Sequence, residues 1–92
     1  MPNNARATRQ SLHALATELA ELVKAPAHRY AESGQKLDPQ VGAIWLDYEP
    51  GGGYQLYRQG IDASVSILSS RYPAKAMERW LEGAIMGAKM LP

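Results

Sequence analysis

Leucines at positions 12, 15, 19 and 22 recur at intervals of three and four residues, and Ala16 and Val23 widen the stripe they draw. That spacing places them on one side of an α-helix, with Gln10, Thr17, Glu21 and Lys24 opposite. The segment Asn4 to Lys24 contains no proline or glycine and is rich in alanine, leucine and glutamate, all good helix formers. An amphipathic helix is predicted here, capped by Asn4 or Thr8 and ended by Pro26. Its first turns carry no large apolar residue, so residues 1–7 are candidates for fraying. Residues 25–42 hold two prolines and two glycines with little periodicity. They read as a long connection, with one short helical turn between Pro26 and Ser33 closed by Gly34.

From Ala43 the period changes to two. Ile44, Leu46 and Tyr48 alternate with Trp45, Asp47 and Glu49. Beyond Pro50-Gly51-Gly52-Gly53, Tyr54, Leu56 and Arg58 alternate with Gln55, Tyr57 and Gln59. A turn from Gly60 to Ala63 leads into a third strand, Ser64 to Leu68. Three short strands joined by tight turns form an antiparallel meander. Ile44, Leu46, Tyr54, Leu56, Val65 and Ile67 are expected on its buried face. Trp45 and Tyr57 are expected on the other, among Asp47, Gln55, Gln59, Ser64 and Ser66.

Ser69 to Tyr72 connect to a second helix, for which Pro73 suits the first position. Met77, Leu81, Ala84 and Ala88 line its core face, flanked by Trp80 and Ile85. Ala76, Gly83 and Gly87 form a small-residue strip beside Trp80, while Met86 and Met90 lie nearly opposite Met77. Charge is confined to a narrow sector, so this helix is expected to be buried around more than half its circumference. The order α-β-β-β-α, with two helices packed on one face of a three-stranded antiparallel meander, defines a single two-layer α+β domain over residues 1–92.

Composition narrows what such a domain does. Ninety-two residues bury only about 60–65% of the unfolded surface, which makes a small core. There is no cysteine, hence no disulfide, thiol nucleophile or zinc knuckle. A net charge of +1 gives no strong footprint for nucleic acid or an anionic membrane. Residues 1–24 carry Arg6, Arg9, Glu18 and Glu21 within an interrupted apolar pattern, unlike a signal peptide or a membrane span. A cytoplasmic protein is expected.

Candidate chemistry is sparse. Phosphate-binding glycine loops open a helix, so that free N–H groups and the dipole meet the anion. Here Gly51-Gly52-Gly53 is followed by the strand pattern Tyr54-Gln55-Leu56-Tyr57, so a hairpin turn is the expected role. His13 reads as a surface histidine. His28 has Arg29, Glu32 and Asp38 nearby in sequence, but no nucleophile or second histidine at a recognisable spacing. Two histidines without cysteine make a poor metal set. No enzyme, cofactor or metal is expected.

Binding fits better. Aromatics on an open sheet stack bases, anchor protein interfaces, or stiffen the sheet as a cross-strand pair. Asp47 and Glu49 flank Trp45, and Arg58 is the one basic residue of the first two strands, so phosphate partners are few. Trp45, Asp47, Glu49 and Tyr57 are therefore expected to contact a protein. Nucleic acid, contacted by the same aromatics with Arg6, Arg9, Arg58 and Arg71, is the alternative. Gly83, Met86, Gly87 and Met90 offer a close-approach strip to the first helix of the same chain or to the same helix of a second copy, which would make a homodimer.

The stretch "SSRYPAKAMERWLEGAIMGAKM" behind "GGGYQLYRQG" resembles the ends of small phage and prophage accessory proteins, in which a meander is followed by one helix. The likeness spans about residues 43–90 and rests on packing residues, among them Trp80, Leu81 and Gly83, so no catalytic position carries over. It implies a phage-borne protein that binds and redirects a host protein, anti-CRISPR proteins being one similar class. The long leucine-striped first helix departs from that pattern.

Overall fold

The computed structural model describes residues 7–26, 30–33, 36–61 and 64–90. Helix α1 runs Arg9–Leu22 and starts where Thr8 caps it. Thr8 is extended, its hydroxyl accepts from the Ser11 N–H at 3.0 Å, and the Ser11 hydroxyl accepts from the Thr8 N–H at 2.8 Å. Two of the free donors of the first turn are thereby satisfied. At the other end Lys24 turns left-handed, with φ 59°. The Lys24 N–H bonds the Glu21 carbonyl and the Ala25 N–H bonds the Ala20 carbonyl. This paired closure, and not Pro26, ends the helix.

Within the stretch 25–42, two described segments are regular where the composition suggests an irregular connection. Strands β1 (Tyr30–Ser33) and β2 (Lys36–Pro39) pair antiparallel as a separate two-stranded sheet. Tyr30–Ser33 is therefore strand where a helical turn was expected. The four-residue strands carry no alternation, and only backbone pairing, from Tyr30 opposite Pro39 to Ser33 opposite Lys36, defines them.

The main sheet has the order β3-β4-β5, with β3 (Ile44–Glu49), β4 (Gly53–Gln59) and β5 (Val65–Ile67). Leu46 sits opposite Leu56 and Tyr48 opposite Tyr54. Gly51 to Gly53 form the hairpin turn and the start of β4, as the strand pattern after them requires. Helix α2 spans Ala74–Met90, and the Pro73 carbonyl accepts its first bond from Met77. The two helices pack together on one face of the sheet, around Leu12, Ala16, Leu19, Leu46, Tyr54, Leu56, Met77, Leu81 and Ile85. The chain is thus an α+β domain of helix, three-stranded antiparallel sheet and helix, with the hairpin β1–β2 inserted before the sheet.

Two expectations about side-chain placement fail. Val65 and Ile67 lie opposite Gln59 and Tyr57, on the face away from the helices, and both are exposed. A four-residue turn from Gly60 to Ala63 would put Ser64 opposite Gln59 and turn Val65 inward. The observed loop is one residue longer: the Gly60 N–H bonds the Ser64 carbonyl, and Val65 takes the place opposite Gln59. One residue of shift moves every side chain of a strand to the other face. Helix α2, second, buries only Met77, Leu81 and Ile85, with Trp80, Ala84 and Ala88 partly covered. Gly83, Met86, Gly87 and Met90 are all exposed, and a Cβ added at either glycine would meet nothing within 4 Å. Helix α1 meets α2 along Glu82, Ile85, Met86 and Lys89, so Gly83 and Gly87 receive no part of the described chain.

Candidate functional site

The face of the sheet that the helices leave open is organised in cross-strand rows. Antiparallel register brings Trp45, Tyr57 and Ile67 into one row, from β3 through β4 to β5. The Trp45 and Tyr57 rings stack at 5.5 Å between centroids and 24° between planes. Both residues are half-buried, and Ile67 is 64% exposed. Sequence reasoning placed the aromatics on this face but missed Ile67, because its orientation depends on the loop length before β5.

The next row is polar and built by a bulge. Tyr57 pairs with Ile67, yet Tyr54 forms an isolated bridge with Tyr72. The outer segment therefore holds two residues more than β4 over the same span. The excess is absorbed around Ser69, which is buried and whose hydroxyl accepts from the Leu56 N–H at 3.0 Å. Its own carbonyl accepts from Gln55 Nε2 at 3.0 Å. Past this bulge Arg71 faces outward beside Gln55, completing a row Asp47, Gln55, Arg71.

Arg71 is the hub of that row. Its Nη1 donates to the Gly53 carbonyl at 3.0 Å, and its Nη2 donates to Asp47 Oδ2 at 3.0 Å, Gln55 Oε1 at 3.1 Å and the Tyr57 hydroxyl oxygen at 3.2 Å. Glu49 Oε2 lies 3.6 Å from Nε. The Tyr57 hydroxyl donates in turn to Gln55 Oε1 at 2.7 Å. The hydrogen bond that the guanidinium donates to Asp47, against a smaller opposing effect of burial, raises its pKa above the ordinary value. Arg71 therefore holds Asp47, Tyr57 and Gln55 in one network and draws Glu49 toward it. Asp47 and Glu49, the acidic pair expected to contact a partner, are both drawn to an arginine of their own chain. An excess of two residues leaves the face unchanged and moves Arg71 along the sheet to lie beside Gln55, a placement that no periodicity marks.

The other arginines of the nucleic-acid alternative lie elsewhere. The Arg9 guanidinium sits 4.5 Å from the centre of the Tyr48 ring, on the helix-covered side. Tyr48 in turn meets Tyr54 at 4.8 Å. Arg58 shares that side by register, opposite Ile44, where it lines a groove of about 410 Å³ with Val23, Lys24, Pro26 and Val41. Arg6 lies outside the described residues. Arg9, Arg58 and Arg71 thus converge on no common surface.

His13 is exposed on α1, and His28 lies outside the described residues. Among the described residues no three metal-ligating side chains converge, and no helix is long and apolar enough to cross a membrane. A hollow of about 340 Å³ lies between the glycine turn, Tyr48, Tyr54 and the start of α2 at Pro73 and Ala74. No protein-family model, curated protein or solved structure matches this chain.

Proposed function

We propose that this chain is a non-enzymatic protein-interaction module that docks a partner on the open face of its sheet. The observation that carries the reading is the row Trp45–Tyr57–Ile67, an aromatic pair extended by an exposed isoleucine on a face without helix cover. Interface hot spots favour such tryptophan and tyrosine anchors, with arginine beside them. The Arg71 network adds a rigid polar border on one side, since its members are already hydrogen-bonded and lose little freedom on binding. The likeness to small phage and prophage accessory proteins supports a setting in which the partner is a cytoplasmic host protein. Dispersal of Arg9, Arg58 and Arg71 over two faces favours protein over nucleic acid.

The test is affinity capture with the wild-type chain and the Trp45→Ala/Tyr57→Ala variant, partners being identified by mass spectrometry. The wild type is expected to retain a protein that the variant loses, with both giving the same far-ultraviolet circular dichroism. Equal capture by a folded variant removes the docking face. An unfolded variant transfers the same question to Ile67→Lys, which alters the exposed end of the row without touching the core.

A further inference from the structure

Among the described residues strand β5 is an edge of the sheet, and, short as it is and followed by the bulge at Ser69, its unpaired side carries no charge or proline. Residues 63–70, Ala-Ser-Val-Ser-Ile-Leu-Ser-Ser, contain no charge, proline or glycine. Ser64 to Leu68 are all exposed. Charged residues, proline or a covering loop normally protect an edge of this kind. The opposite edge strand, β3, does carry charge, in Asp47 and Glu49.

The hydrogen-bond phase of β5 is defined. The Ser64 carbonyl accepts from Gly60 and the Leu68 N–H donates to Leu56, so the backbones of Ser64, Ser66 and Leu68 point toward β4. Those of Val65 and Ile67 point the other way, and among the described residues no strand pairs with that side. Two copies related by a two-fold axis through Ser66 match this phase: Val65 of one exchanges both backbone bonds with Ile67 of the other. The pairing is self-complementary, and the absence of charge lets like segments meet without repulsion.

We infer that this chain forms a homodimer by antiparallel pairing of β5 with β5 of a second copy, continuing the sheet across the interface. The outward side chains of Val65 and Ile67 then join the two Trp45–Tyr57–Ile67 rows into one band on the open face. The strip of Gly83 and Gly87 on α2 plays no part. A three-residue ladder is only about 10 Å long. It covers far less than the roughly 800 Å² per partner of a standard interface, so the dimer is weak, with a Kd on the order of 100 µM. This inference does not rest on the docking of another protein.

The absence of native cysteine makes a crosslinking test clean. Ser66 faces its own copy as a non-hydrogen-bonded pair, with Cα atoms about 4.5 Å apart, within disulfide reach. Ser66→Cys is expected to give a covalent dimer under mild oxidation at least tenfold faster than Thr17→Cys on exposed α1 or Gly87→Cys on α2. Sedimentation velocity at chain concentrations on either side of that Kd is expected to show the wild type moving from monomer toward twice the mass. Val65→Pro removes an edge donor that β4 does not use, and is expected to stay monomeric with unchanged circular dichroism. Crosslinking of Ser66→Cys no faster than the controls, faster crosslinking at Gly87→Cys, or a wild type that stays monomeric would each overturn the inference. If Val65→Pro unfolds, Val65→Lys supplies the same comparison. Partner capture lost in Trp45→Ala/Tyr57→Ala and dimerisation lost in Val65→Pro are separate readouts, so either reading fails alone.

Discussion

Gly53 is where the glycine turn, the Arg71 row and the start of α2 meet, and Gly53→Ala tests that convergence. Its φ is +90°, a conformation that costs an alanine roughly 1–2 kcal/mol. A Cβ there would also run into the Tyr72 carbonyl. That carbonyl accepts from the Tyr54 N–H at 2.7 Å, and Tyr72 donates back to Tyr54 at 2.7 Å. Opening the bridge forfeits two hydrogen bonds, each worth about 0.5–1.5 kcal/mol. The total is about 2–5 kcal/mol, a large part of the roughly 5–14 kcal/mol that a chain of 92 residues holds. Gly51 is the internal control. It too has positive φ, +80°, but a Cβ there meets nothing within 4 Å, so Gly51→Ala should cost only the backbone term of roughly 1–2 kcal/mol. Urea unfolding of the two variants, followed by circular dichroism and by Trp45 and Trp80 fluorescence, compares them directly. Equal destabilisation within about 0.5 kcal/mol would show that Tyr72 yields freely. The bridge would then have no part in placing Arg71.

Three further outcomes follow from particular contacts. Lys24→Gly relieves a left-handed lysine and is expected to stabilise by about 1 kcal/mol, raising Tm by about 4–8 °C in a thermal melt. Leu56 is fully buried, so Leu56→Ala should cost about 3–5 kcal/mol, whereas Ile67→Ala, on the open face, should stay within about 0.5 kcal/mol by urea titration. A large cost at Ile67 would restore the inward register of β5. Thr8→Ala removes one half of the reciprocal cap on α1 and should lower stability by about 1 kcal/mol, with the loss of helical dichroism confined to the melt.

The parts read correctly from the chain are those that repeat. Leu12, Ala16 and Leu19 face the core because a 3.6-residue period puts them on one side whatever packs there. Alternation over Ile44–Glu49 and Gly53–Gln59 separates Leu46 and Leu56 from Trp45 and Tyr57 in the same way. The hairpin β1–β2 escaped because its strands have no apolar alternation to notice. At Gly83 and Gly87 of the α2 strip nothing in the described chain comes close, so helix α1 does not fill the groove that small residues leave there.

The candidate site divides along the same line. Local periodicity alone places Trp45, Tyr57, Asp47 and Glu49 on one face, since each strand's pleat decides it without reference to any neighbour. Ile67 and Arg71 join them only through pairing between strands. A loop one residue longer than expected rotates β5, and a bulge at Ser69 carries Arg71 over to Asp47. Both events are differences in length between two paired segments, and such a difference is a property of the pair, which no single run of residues contains.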